Sequence, residues 1–320
     1  MNYIHDLMDD AKCFENLRAL RWPRSRPNAC PHCNSNKIVG RGKNTRPPGC
    51  RRYGCLKCGK RFDDLTGTIF SGHHQPLRVW MCCLYLMGLN VSNRQIGQEL
   101  GWSESDSQQM TDLLRDGIYK RRKVTRMQGE IECDEVYVIA GHKGKPENIH
   151  GRLARRNRLK GARGRGTLEK EKPPIFGMIE RNGVVRIEML ANVRQETIRP
   201  IIEETIVAGS LVYTDEYTIY APLPAWGYLH KSVCHSSGEY ARDEDGDGFH
   251  EVHVNTMEGF WSLLRSWLRP HRGLSQEKLP LYLSFFEFVH NVRRRGRALL
   301  LTVRLFHPLI PEIGVMFCFF

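Results

Sequence analysis

Three acidic residues and four cysteines are the side chains of this sequence best placed to do chemistry. Asp134 lies near the middle of an alternating stretch from Glu130 to Ala140, Asp215 follows the apolar run Ser210 to Thr214, and Glu258 lies early in a helical pattern from Asn255 to Leu268. Carboxylates are hard oxygen ligands, and a convergent set suits Mg2+ or Mn2+. Two such ions about 3.5–4 Å apart can activate an attacking oxygen and stabilise a leaving one in phosphoryl transfer. The cysteines come as Cys30-Pro-His-Cys33 and Cys55-Leu-Lys-Cys58, with 21 residues between the pairs. Two residues inside each pair let both thiolates turn toward one ion, so the pattern predicts a structural four-cysteine zinc site on short hairpins. Cys50 is the nearest rival ligand, whereas Cys13, Cys82 and Cys83 read as helix or core residues.

The elements that must position these groups follow from periodicity. Residues 5–20 read as an amphipathic helix ended by Arg21-Trp22-Pro23. After an apolar helix from Leu77 to Leu89, Ser92 caps a short helix, Gly101 closes it, and Ser103 caps another that runs to Gly117. Helix, glycine turn and helix form a helix-turn-helix pattern. From Glu130 onward come a strand, a second over 175–180, the turn Arg181-Asn182-Gly183, and a third strand from Val184 to Leu190. A helix over Gln195 to Val207, a strand ending at Asp215, a short strand Lys231 to His235, and helices Asn255 to Leu268 and Gln276 to Val292 complete the series. Three strands, a helix, a strand and further helices is the order of a ribonuclease-H-like fold. That fold carries one carboxylate on its first strand, one at the end of its fourth and a third on a later helix, here Asp134, Asp215 and Glu258. Glu132 shares a strand face with Asp134 and rivals it, while Glu135 points the other way. Glu258, Ser262, Arg265 and Arg269 form one polar helical stripe opposite Phe260, Leu264, Trp267 and Leu268. Arg265 is thereby placed to reach a phosphate near the metals. Asn255, one turn before Glu258, serves either as helix cap or as part of the site.

Composition sets the partner class. With 48 Lys and Arg against 35 Asp and Glu, the net charge is +13, and the balance points to a polyanion, nucleic acid first. Charged residues interrupt the first eighteen positions, so no secretory signal is expected there. Arg304, His307, Pro308, Pro311 and Glu312 break the apolar tail, so no membrane partner is expected. A cytoplasmic, nucleoid-associated location is the expectation, and in a reducing compartment the 11 cysteines favour metal over disulfides. Residues 141–172 hold 11 Lys and Arg against three Glu. Arg152, Arg155, Arg156, Arg158, Lys160, Arg163 and Arg165 within it are candidate phosphate contacts. Asp243-Glu-Asp-Gly-Asp-Gly248 imitates the start of a calcium loop, but position twelve is Val254 and not a bidentate Glu, so it reads as an acidic turn. His235 and His253 flank the expected site.

These residues resemble the ISXO2-like insertion-sequence transposases. The matching stretches are the two cysteine pairs, Glu132-Cys-Asp-Glu-Val-Tyr137, Tyr213-Thr-Asp-Glu216 and His253-Val-Asn-Thr-Met-Glu-Gly-Phe-Trp-Ser-Leu-Leu264, and the likeness runs from about residue 10 to Arg297. The resemblance implies a DDE-type site in which Asp134, Asp215 and Glu258 hold two divalent ions, with Arg265 at the family's basic position seven residues after the Glu. Some relatives carry Asn as the third residue, which leaves Asn255 and Glu258 as alternatives. It also implies hydrolysis at element ends, attack of the freed 3′-hydroxyl on target DNA without a covalent protein intermediate, and synapsis of two ends by a homo-oligomer, most simply a dimer.

The expectation is an α+β, multidomain chain. It comprises an N-terminal helix and zinc ribbon over 1–64, a helix-turn-helix DNA-binding region over 65–126, a ribonuclease-H-like mixed-sheet catalytic domain over 127–298, and an unassigned tail over 299–320. The alternatives are a DNA-binding regulator or inactive copy without catalysis, and a metal nuclease that does not join strands.

Overall fold

The computed structural model of the chain describes residues 8–22, 25–43, 49–122, 125–143, 166–234, 238–244, 246–248, 250–271 and 273–294. The seven basic candidates from Arg152 to Arg165, His235 and the 299–320 tail lie outside the described residues. The chain divides into two compact units: the second is Arg122–Arg294, and the first holds the described residues before it.

The first unit opens with α1 (Asp10–Arg21), whose N-terminus Asp9 caps by accepting the N–H of Ala11 at 2.8 Å. It ends at Trp22, in extended backbone. Strands β1 (Ile38–Lys43), β2 (Arg51–Cys55) and β3 (Arg61–Asp63) form an antiparallel sheet in that order. Its inner face gathers Tyr53, Cys55 and Phe62 with Trp22 and Cys30, a very small core. A buried polar lock adds to it. Asp64, fully buried, accepts the Arg18 guanidinium at 2.7 Å, the Arg51 N–H at 2.7 Å and the Tyr53 hydroxyl at 3.0 Å. With its lone pairs this well satisfied, the carboxylate can stay buried, and breaking the ion pair would leave one charge uncompensated.

Three helices follow: α2 (Leu77–Gly88), α3 (Asn93–Leu100) and α4 (Glu104–Lys120). Ser92 and Gln95 make a reciprocal capping box at the start of α3, Gly101 ends it at φ 71°, and the Ser103 hydroxyl caps α4. At Gly97 an added Cβ would lie 3.3 Å from the Ser107 Cβ, so its missing side chain lets α3 and α4 approach closely. The expected helical hairpin is therefore formed, with α4 one turn longer than expected. Its surface is acidic: Glu104 and Asp106 are exposed and Asp112 and Asp116 half-exposed, while Arg115 is buried against Asn93.

In the second unit the strands are β4 (Glu130–Tyr137), β5 (Ala140–Gly141), β6 (Pro174–Glu180) and β7 (Val185–Met189), followed by α5 (Gln195–Thr205), β8 (Leu211–Asp215) and β9 (Leu229–Val233). A short pair, β10 (Ala241–Arg242) and β11 (Val252–His253), leads into α6 (Asn255–Leu268); β12 (Leu274–Ser275) pairs with β5, and α7 (Leu279–Arg294) ends the unit. The main sheet runs β7-β6-β4-β8-β9, antiparallel up to β4 and parallel from β4 through β9. Asn182, at φ 59°, makes the β6–β7 turn.

Alternation gives the sheet two buried faces. Ile131, Cys133 and Met178 face a core with Ile198 and Ile202 of α5. Glu132, Asp134 and Gly177 face α6. Several boundaries differ from expectation, among them the start of the first helix, which is Asp10 and not residue 5. The fifth strand is Leu229–Val233, two residues earlier than the sequence suggested. β4 stops at Tyr137 because Ala140–Gly141 pairs separately with β12. The last helix begins at Leu279 because Leu274–Ser275 takes that pairing, with Gln276 Nε2 donating to the carbonyls of Ala140 and Leu168.

Candidate active site

Strand register brings the two aspartates together. Parallel strands β4 and β8 pair Glu132 with Tyr213, and Asp134 and Asp215 each lie two residues further along. Both side chains therefore share the α6 face at the same end of neighbouring strands, which lie about 4.8 Å apart. Asp215, the last residue of β8, also accepts the Tyr217 N–H at 3.0 Å, which fixes its carboxylate at the strand end.

Helix α6 supplies the third carboxylate, and two features seat it. Gly177 is the register partner of Asp134, and a Cβ there would lie 1.9 Å from Met257 Cε and 2.5 Å from Trp261 Cη2. Only glycine admits those side chains. Trp261 Nε1 then donates to Asp134 Oδ2 at 2.9 Å, and the Glu135 N–H donates to Oδ1 at 2.7 Å.

The second feature is Glu132. It is fully buried and accepts the Met257 N–H at 2.9 Å, the Thr256 hydroxyl at 2.9 Å and Arg181 Nε at 2.9 Å. A carboxylate from β4 thus satisfies a backbone donor in the first turn of α6, where the helix dipole favours negative charge. Arg181 also lies 3.9 Å from the Tyr213 ring and donates to the His253 carbonyl at 3.0 Å. Burial, then Arg181, lowers the His253 pKa and keeps its imidazole neutral beside this network. Asn255 is not the cap: Val254 holds that position, and Asn255 is the exposed first helical residue.

Glu258, Ser262, Arg265 and Arg269 are all exposed, as the polar stripe requires, and Phe260, Leu264 and Trp267 are buried. Trp261 joins that buried side, whereas Leu268 is only half-buried. Burial, with smaller pushes from the charges of Asp215 and Glu258, raises the Asp134 carboxyl to about 6 against the pull of the Glu135 N–H and Trp261. Asp215 and Glu258 are hard oxygen donors near enough for their charges to act on Asp134, and a divalent cation would remove that repulsion. On the opposite face the Tyr220 hydroxyl donates to Glu135, which separates that carboxylate from the other three. Glu132 as an anchor and Trp261 as a donor are the two functional roles that sequence reading missed. The alternation that put Glu132 on Asp134's face was the available signal.

The four cysteines also converge. The Sγ atoms of Cys30, Cys33, Cys55 and Cys58 all lie within 4.8 Å of one another, with Cys30–Cys58 at 3.8 Å and Cys33–Cys55 at 3.6 Å. Sulfurs at about 2.3 Å from a tetrahedral ion stand roughly 3.8 Å apart, so the cluster fits a single metal ion. The Cys58 backbone N–H is the main cause of a Cys55 pKa lowered to about 6. Cys50 is outside the cluster, and burial pushes the Cys13 and Cys83 thiols up to about 12. Among the described residues only these four bring ligand atoms so close; the three carboxylates are more widely spread.

Residues 126–291, which carry this sheet and these carboxylates, match the model of the ISXO2-like transposase domain. The chain belongs to that family. It is 31% identical over 304 residues to an uncharacterized protein in transposable element ISH50 of Halobacterium salinarum, covering 94% of this chain and 97% of that one. It is 28% identical over 103 residues to an uncharacterized transposase-like protein of Haemophilus influenzae, covering 32% of this chain and 77% of that one. A chain of a pre-cleavage Mos1 transpososome is similar at 10% identity with a TM-score of 0.27, over 68% of this chain and 73% of that one. No helix among the described residues is long and apolar enough to cross a membrane.

Proposed function

We propose that this protein is a DDE-type DNA transposase with a ribonuclease-H-like catalytic domain, and that Asp134, Asp215 and Glu258 hold two Mg2+ or Mn2+ ions. The observation that carries this reading is the register that sets Asp134 beside Asp215 beneath the helix bearing Glu258. When bound, such ions supply Lewis-acid stabilisation of charge on the attacking and leaving oxygens. Asp134 and Asp215 are fixed by strand and hydrogen bond, so their oxygens need little reorganisation. Glu258 closes the site from α6, and Arg265, seven residues further, steadies the DNA phosphate. Asn255 lies at the rim as an auxiliary contact. Water attacks phosphorus at the element end, the bond to the 3′-oxygen breaks, and a 3′-hydroxyl is released. That hydroxyl then attacks a target phosphate and displaces the target's own 3′-oxygen.

The four cysteines hold one structural Zn2+, which makes the first unit a zinc ribbon joined to a helix-turn-helix. The domains are those of the sequence reading, 1–64, 65–126, 127–298 and a 299–320 tail. The basic residues Arg152, Arg155, Arg156, Arg158, Lys160, Arg163 and Arg165 contact DNA phosphates. A dimer pairs the two element ends, and the protein works in the cytoplasm on the nucleoid. The test is incubation with Mg2+, a plasmid target and a duplex carrying the DNA that flanks this gene. Nicked and joined products from the wild type but not from Asp215→Asn are expected. Tight binding with neither product would favour a regulator or inactive copy.

A further inference from the structure

The open face of the ribbon sheet carries a group of cations that nothing above has used. Antiparallel register puts Arg52, Gly54, Arg61 and Asp63 on the face opposite Tyr53, Cys55 and Phe62. Arg41 joins them from β1: a Cβ at position 54 would lie 3.1 Å from its Nε, so the guanidinium stem crosses the gap left by glycine. Arg41, Arg52 and Arg61 are all exposed, and among the described residues none is paired with a carboxylate. Asp63, the acidic side chain on this face, has Oδ1 engaged by the N–H groups of Leu65 and Thr66 and by the Thr66 hydroxyl. Three arginine forks thus stand on three adjacent strands. The outer strands are roughly 10 Å apart, a span over which a duplex presents several phosphates, one on each strand per roughly 3.4 Å of helix axis.

The helical hairpin of the same unit shows the opposite charge. The first turn of α4, which in a helix-turn-helix reads base edges, exposes Glu104 and Asp106, while Asp112 and Asp116 further along pair with Arg115 and Lys120. A polyanion is repelled there and attracted at the sheet.

Resting on the transposase reading, we infer that the first unit grips double-stranded DNA through the Arg41–Arg52–Arg61 face of its ribbon sheet, by phosphate contacts, and that α4 does not face the DNA. Arginine suits this role because its planar fork bonds a phosphate through two N–H groups at once.

The test is the salt dependence of binding by the full-length protein to duplex DNA carrying the sequence that flanks this gene. Each phosphate contact contributes about 0.9 to the slope of log affinity against log salt. Replacing all three arginines with alanine should reduce that slope by about 2–3 and weaken binding roughly tenfold to a hundredfold. The triple lysine variant should keep most of the slope and lose part of the affinity. Glu104→Gln with Gln109→Ala on α4 should leave both unchanged. Metal content and thermal midpoint of each variant report folding, and a misfolded alanine variant leaves the lysine variant and the α4 pair to decide. An unchanged slope in a folded triple variant, or a changed one in the α4 pair, overturns the inference. A wild type that binds no DNA at all would instead sink the transposase reading.

Discussion

Asp134 is held in a protein environment that opposes its ionisation. Its carboxyl stands at about 6 because burial, then the charges of Asp215 and Glu258, outweigh two hydrogen bonds. The folded value is raised, so the metal-free folded state binds this proton more tightly than the unfolded chain does. Stability must then fall as pH rises from about 4 through about 6 and stay level above. The size is on the order of 3 kcal/mol. Asp134→Asn removes this cost, so denaturant melts in a chelator should show the variant more stable than wild type at pH 7 and about equal at pH 4. Added Mg2+ at pH 7.5 should raise the wild-type midpoint and leave the variant's unchanged; a variant that still responds to Mg2+ would take Asp134 out of the ion site. Gly177 is the complementary case. A methyl group there would lie 2.5 Å from the rigid Trp261 ring, which cannot withdraw without loosening its bond to Asp134 and the seating of α6. Gly177→Ala should therefore cost about 1–3 kcal/mol and most of the cleavage rate, measured by thermal melting and by nicking. An unaltered midpoint would contradict the close seating of the helix.

At the scale of elements, α6 depends on a carboxylate from another strand. Glu132→Ala takes from the half-buried Arg181 one of its two carboxylate partners, leaving it Glu130 alone, and leaves the Met257 N–H without an acceptor. The expected loss is about 3–5 kcal/mol, with Glu132→Gln losing less, both read by urea denaturation. A substitution tolerated within 0.5 kcal/mol would show that α6 is held by apolar packing alone.

Much of this element was legible in the sequence. The strands alternate, α6 spans the expected Asn255–Leu268, and the polar stripe beginning at Glu258 faces outward. The cap was not legible, because its partner lies over 120 residues earlier and short-range rules look only at neighbouring residues. Gly177 gave no signal for a similar reason: what it avoids is a tryptophan distant in sequence. The β5–β12 pairing, two residues on each strand, is too short to leave a pattern, and it shifted the start of α7.

For the whole molecule, two units with different supports should respond to different treatments. The ribbon of the first unit has a small apolar core around Trp22, Tyr53 and Phe62 and a four-cysteine cluster, whereas the helices of that unit bury Trp80, Leu84, Ile96 and Leu114 and the second unit has an extensive core on both faces of its sheet. A strong chelator should therefore abolish the cooperative melt of the ribbon, since metal binding supplies folding energy to modules of this kind, and leave that of the second unit in place. Calorimetry showing both transitions intact after complete metal removal would rule out a structural metal. The central claim is that three carboxylates on β4, β8 and α6 cut DNA. The most direct measurement is the single-turnover nicking rate, with Mg2+ and gene-flanking duplex, of the wild type and of Asp134→Asn, Asp215→Asn and Glu258→Gln. Loss of several kcal/mol of charge stabilisation corresponds to a fall of roughly a thousandfold or more. The account predicts that fall in all three variants with DNA binding retained. Nicking at the wild-type rate by any one of them would contradict it.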